Sequence, residues 1–230
     1  MFDLQNPDLQ KPIWKYGRQI FTLYHKVLLM STSQQNLEAL QDIRKMMDRS
    51  SRFISLSGWS GIVAGAFALG GVWFADKKLS ASYDEPEVLH SDLITIAAVV
   101  FTGAFLSAIV LTYFKSRKQG VAFWGTTAKR LVWNTLMPMI AGGLLIWRMI
   151  ETQQYELVPA ASLIFYGLAL LNGSKYTLGE VRYLGYAELL TGVIALWFPS
   201  SALYFWAFGF GILHIIYGIA MWWKYERREA

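Results

Sequence analysis

The 230-residue chain has no cysteine, three histidines and six prolines, and only 16% of its residues are charged. Without cysteine there is no disulfide framework, thiolate metal site or cysteine nucleophile, and the redox compartment is left open. The histidines stand at positions 25, 90 and 214, too scattered for an obvious metal cluster, so no metal site or cofactor is read from them. A Walker loop, a His-Glu-x-x-His zinc pattern and a Gly-x-Ser-x-Gly elbow are also missing, and the chain reads as non-enzymatic.

What the chain does contain is apolar. Hydrophobic residues make up 54% of it and the mean hydropathy is +0.32, too high for an ordinary soluble domain of this length. A bilayer is the better solvent. The net charge of +5 does not indicate nucleic acid, because the basic residues cluster beside apolar runs, as the positive-inside rule requires. Ten Trp, twelve Tyr and fourteen Phe suit interfacial belts as well as helix packing.

A span needs about 20 mostly apolar residues to cross roughly 30 Å of hydrocarbon. Six stretches qualify, near 53–75, 92–114, 131–150, 157–173, 183–198 and 202–223, with the fourth and fifth short unless they extend through Gly173 and back to Val181. The fold class is therefore all-α, a six-transmembrane-helix bundle with a transmembrane domain over 53–224 and a cytoplasmic tail over 225–230. The loops alternate in sign. Asp84, Glu85 and Glu87 fall in the first, Lys115, Arg117, Lys118, Lys129 and Arg130 in the second, Glu151 and Glu156 in the third, and Lys175 and Arg182 in the fourth. The tail adds Lys224, Arg227 and Arg228, so both termini are expected in the cytoplasm.

Before the first span, residues 31–52 read as a cytoplasmic amphipathic helix, with Leu37, Leu40, Ile43 and Met47 at helical spacing. Residues 1–30 allow two readings. Either Met30 is the true start, or Ile13 to Leu29 is a basic, aromatic interfacial helix. A cleavable signal peptide is not expected, because His25-Lys26 breaks the apolar run and no small-residue cleavage site follows.

The first and fifth spans align Gly58 with Gly185, Gly65 with Gly192, and Ala68-Leu69 with Ala195-Leu196, while the third matches through Gly142. Three repeated two-helix hairpins are one organisation consistent with this alignment. Small residues also form ridges, with Ser57, Gly61 and Gly65 on the first span and Ala187, Thr191 and Ala195 on the fifth. Such ridges serve packing within the bundle, with a homo-oligomer as the alternative. Pro138 is expected to kink or break the start of the third helix.

The last hairpin carries the best candidate site. A charge at mid-helix costs about 2.5 to 3.5 kcal/mol on insertion scales, so Glu188 needs an explanation. It lies six residues beyond Arg182, roughly 9 Å along the helix, and His214 lies ten residues before Lys224, roughly 15 Å from the same side. Each shares its face with small residues, so an intramembrane polar pair is expected. Its role is either a proton-responsive or ion-responsive site or a hydrogen bond tying two helices. Accessory polar candidates are Asn134, expected to bond a neighbouring helix with substrate contact as the alternative, Asn172 and Lys175 at the cytoplasmic end of the fourth helix, and Arg182, which with Tyr176, Tyr183 and Tyr186 makes either a cytoplasmic vestibule or an aromatic belt. Arg148 and Glu151 read as a snorkelling ion pair.

Three phrases, DRSSRFISLSGWSGIVAG, SLIFYGLALLNGSKYTLGEVRYLG and YFWAFGFGILHIIYGI, resemble an uncharacterised bacterial six-helix integral membrane protein family from about Asp42 onward. That resemblance implies a bacterial cytoplasmic (inner) membrane and no known activity. Over the last two spans only, GVIALWFP and FGFGILHIIYGI resemble HdeD-type membrane proteins, which implies an acid-resistance context. The expected function is a multi-pass membrane protein of envelope or acid stress, or a regulatory or interaction module, with a small transporter or channel as the alternative. The lipid bilayer is the expected partner. No nucleic acid is expected, and a small-molecule or ion ligand stays open.

Overall fold

The computed structural model describes residues 57–81, 86–120 and 123–227, together with Phe21 and Leu40, and all of its described elements are helical. The expectations for 1–30 and 31–52, the late start and the amphipathic helix, lie outside the described residues. Six long helical segments follow one another: α1 (Gly58–Ser80), α2 (Pro86–Lys118), α3 (Thr126–Glu151), α4 (Val158–Gly173), α5 (Val181–Ala195) and α6 (Pro199–Glu226). The fourth and fifth end at Gly173 and begin at Val181, as their length demanded.

Four segments are long and apolar enough to cross a membrane: Gly58–Ser80, Val88–Lys118, Tyr155–Tyr176 and Pro199–Glu226. The other two fall short for visible reasons. α5 has only 15 residues, roughly 22 Å of rise, and α3 interrupts its apolar stretch with Asn134, Pro138 and Arg148. Large apolar side chains nonetheless cover the outside of every helix, for example Phe105, Leu144, Leu190 and Ile216. An apolar surface that extensive belongs against lipid. Exposed tryptophans mark both ends of the helices, with Trp59, Trp133 and Trp223 at one and Trp73, Trp147 and Trp197 at the other.

Packing runs in the order α2, α1, α6, α5, α4, α3, so α2 and α3 are neighbours in sequence but not in space. Helices already in lipid gain little from apolar burial, so the contacts depend on close approach across small residues. At the α1–α6 crossing, a Cβ on Gly218 would lie 2.6 Å from both the Gly58 carbonyl oxygen and the Ile62 nitrogen. At the α4–α5 crossing, a Cβ on Gly167 would lie 2.7 Å from the Leu189 nitrogen. The obstructing atoms are backbone and cannot swing aside, so only glycine lets these axes meet.

One end of the bundle gathers most of the basic residues, Lys115, Lys129, Lys175 and Lys224 among them. There Glu226, at the end of α6, accepts the Gly58 N–H at 2.8 Å and the Ser57 hydroxyl at 3.3 Å, and pairs with Lys115 at 2.9 Å. A carboxylate at a helix start satisfies an orphan amide and complements the helix dipole. α6 thus stays helical through Glu226, past the start of the expected 225–230 tail. Arg148 and Glu151 form the anticipated pair at 3.1 Å at the opposite end.

Pro138 does not break α3, which is helical from Thr126 to Glu151. Proline has no N–H, so the Asn134 carbonyl four residues earlier loses its helical donor. Asn172 of α4 takes that place, donating its Nδ2 to the Asn134 carbonyl at 2.8 Å. The Asn134 side chain itself donates back to the Arg130 carbonyl of its own helix at 2.8 Å, not to a neighbouring helix as expected from the sequence.

Candidate functional site

Glu188 lies on α5 among Leu184, Gly185, Thr191, Gly192 and Ala195, all buried, and is itself fully buried at 0% exposure. On α6, a π-helical turn over Ala207–Leu213 runs directly into His214. The two side chains meet: His214 Nδ1 stands 3.1 Å from Glu188 Oε1, and only 6% of His214 is exposed. Glycine makes the approach possible, because a Cβ on Gly209 would come 2.6 Å from Glu188 Oε2 and 2.4 Å from Leu163 Cδ2.

The imidazole is held from both sides. Its Nδ1 faces the Gly209 carbonyl at 3.2 Å as well as Glu188, and its Nε2 lies 2.9 Å from the Tyr166 hydroxyl of α4. A carbonyl and a carboxylate only accept, so Nδ1 carries a hydrogen. With neutral imidazole, the Tyr166 hydroxyl therefore donates to Nε2. Three helices, α4, α5 and α6, meet in this one chain of polar atoms.

Glu188 and His214 are within ion-pair reach, yet neither carboxylate oxygen makes a hydrogen bond, because the Nδ1–H is aligned on Gly209 instead. The carboxyl group is desolvated and close to a cation site without being saturated by donors. An isolated buried carboxylate is costly, so the pair is neutral overall when it shares one proton, as carboxylate with imidazolium or as acid with imidazole. The chemistry available is uptake and release of a proton. Tyr166 escaped the sequence reading, although it lies nine residues before Lys175, roughly 14 Å in, a depth similar to that of His214.

The accessory candidates stay apart from this cluster. Asn134 and Asn172 serve the α3–α4 seam around Pro138. Lys175 is exposed, and Arg182, also exposed, donates to the Tyr183 hydroxyl at 3.0 Å and lies over its ring. A second polar group sits at the basic end, where Lys224 donates to Glu180 and the Tyr225 hydroxyl donates to the same carboxylate oxygen at 2.9 Å. Burial would raise the Glu180 carboxyl, but hydrogen bonds from Lys224, its own backbone and Tyr225, with the Lys224 charge, outweigh it and hold the group below the usual range.

At the opposite end, His90 stacks on Tyr155 with ring centres 3.7 Å apart, beside a groove of about 550 Å³ bounded by Gln153, Glu156 and Pro199. Glu188 does not line that groove. Among the described residues, no three His, Cys, Asp or Glu side chains cluster as a metal site. No protein-family model, curated protein or solved structure matches this chain, so the reading of the site rests on its own residues.

Proposed function

We propose that this chain is a six-span, non-enzymatic protein of a bacterial cytoplasmic membrane with both termini in the cytoplasm. In this reading, Glu188, His214 and Tyr166 bind a proton and make the α4–α5–α6 seam responsive to acid. The observation that carries it is the fully buried Glu188 carboxyl, without a hydrogen bond, 3.1 Å from His214. A purely structural tie would place the donor on the carboxylate; here the carboxyl is left with capacity to change its proton. His214 reaches it directly from α6, and Tyr166 of α4 joins the pair through His214 Nε2. The positive-inside pattern supports the orientation. An envelope- or acid-stress setting is part of the same proposal, from the resemblance in the last two spans noted in the sequence, with no matching family behind it.

A responsive module is favoured over a pore. Beyond Gly209 the hairpin from Ile194 to Ala207 is almost wholly apolar, and no solvent-exposed surface remains on Glu188. The test is infrared difference spectroscopy of the protein in lipid nanodiscs between neutral and acid pH. We expect a carboxyl signal that disappears in Glu188→Gln while the helical content is unchanged. An identical difference spectrum in that variant refutes the proton site.

A further inference from the structure

We propose that the groove at the end of the bundle opposite most of the basic residues binds a primary alkylammonium group, with Glu156 as its counter-charge and the stacked His90 and Tyr155 rings as its wall. The site lies apart from Glu188 and does not rest on the proton-binding reading.

Three parts of the chain converge there. His90 stands near the start of α2, Gln153 to Leu157 form the α3–α4 turn, and Pro199 opens α6. The α3–α4 turn packs against Pro199–Ser201. α2, by contrast, packs on α1, at the far end of the order from α3 and α4. The His90 and Tyr155 rings nevertheless meet with centres 3.7 Å apart and planes at 21°, so the walls of the groove come from helices that are not packed neighbours. At about 550 Å³ the groove is of the size that holds a small ligand.

The backbone at its edge adopts a conformation that suits glycine better. Gln153 has a φ of 59°, and the Gln154 and Gln153 N–H groups close the end of α3 by donating to the Met149 and Ile150 carbonyls at 2.8 and 3.0 Å. Glycine is the usual residue at such a left-handed position, because a Cβ there is strained. Glutamine instead sets a carboxamide in the lining of the groove.

The chemistry of the lining selects the ligand. Among its described residues there is no Lys or Arg and one carboxylate, Glu156, so an anion finds no counter-charge. The Glu156 carboxylate has no hydrogen-bond or ion-pair partner among the described residues. The described cations at this end are engaged elsewhere: Arg148 pairs with Glu151 at 3.1 Å, Lys78 with Asp92 at 2.7 Å, and Lys77 lies 3.8 Å over the Trp73 ring. A cation from outside the chain is therefore the complement. The side-chain oxygens of Gln153, Gln154 and Tyr155 can accept ammonium N–H groups, and an aromatic face attracts a cation. Leu157 and Pro199 offer apolar surface to a methylene stem. A metal ion fits less well, because His90 and Glu156 supply only two ligands and no three such side chains cluster among the described residues.

A free amine and the ethanolamine headgroup of a lipid carry the same ammonium, and the experiment separates them. Histidine-labelled protein in phosphatidylglycerol nanodiscs is titrated with ethanolamine at fixed pH while the imidazole signals are followed by NMR. The His90 signal is identified by its loss in His90→Phe. We expect that signal to shift saturably, and Glu156→Gln, a change at an exposed position, to weaken the apparent affinity roughly fivefold or more. Gln153→Gly is expected to weaken it roughly threefold without lowering the unfolding temperature. In nanodiscs containing phosphatidylethanolamine, a His90 signal already shifted and insensitive to added ethanolamine assigns the site to the headgroup. An unchanged titration there assigns it to the free amine. A His90 signal that stays unmoved by ethanolamine and by both lipids overturns the site, and so does a titration that is the same in Glu156→Gln.

Discussion

Replacing His214 by Phe tests whether Glu188 and His214 act as a charged pair. Phenylalanine fills much of the imidazole's space, so packing against Phe210 and Tyr166 is largely kept, and the change falls on the polar atoms. Two losses are expected. The Tyr166 hydroxyl loses the Nε2 partner at 2.9 Å, worth about 1 kcal/mol for a neutral hydrogen bond. Glu188, fully buried, loses the only cation site within 4 Å among the described residues, and breaking a buried pair from one side costs roughly 3 to 5 kcal/mol.

In a Glu188→Gln background no charge remains to be orphaned, so His214→Phe then costs only about 1 kcal/mol. The difference, a coupling of roughly 3 kcal/mol or more, is a factor of about 150 or more in the folding equilibrium. Neutral hydrogen bonds between membrane helices average only about 0.6 kcal/mol and reach about 1.7, so the magnitude separates a charged pair from a neutral tie. The four proteins of the cycle are compared by reversible unfolding in bicelles. A coupling below about 0.5 kcal/mol means the two residues act independently and refutes the pair.

Two further outcomes follow from the seams around the site. Asn172→Leu leaves the Asn134 carbonyl without a donor and is expected to cost roughly 1 to 3 kcal/mol. Adding Pro138→Ala restores the helical N–H and should recover most of that loss; no recovery in the same unfolding assay refutes the account of α3. For Glu180, the depressed folded-state pKa means that its stabilisation is present above the ordinary carboxylate range and lost as pH falls through the depressed value. Glu180→Gln should therefore flatten that acid-side slope of stability against pH, and an unchanged slope refutes the contribution.

Solvent and helices were legible in the residues alone. Long apolar runs, too few charges for a soluble surface and basic clusters at alternate loops leave a bundle of membrane helices as the economical arrangement, and the limits at Gly173 and Val181 were readable from length. That Glu188 and His214 could meet was readable too, because each stands on a small-residue face of an adjacent helix in the same hairpin. What the residues alone did not carry is which helices touch. Periodicity places a residue on a face without naming the neighbour, and in lipid nearly every face is apolar, so the pattern that separates core from surface in water is weak. Long-range packing sets α1 on α6 while α2 and α3 stand apart, and brings Tyr166 to the cluster from α4. It also separated Asn134 and Asn172 from the site, giving them to a carbonyl that Pro138 leaves bare. The Nδ1–H aimed at Gly209 belongs to the same level: a π-helical turn and a missing Cβ set that angle, and neither has a period in the sequence.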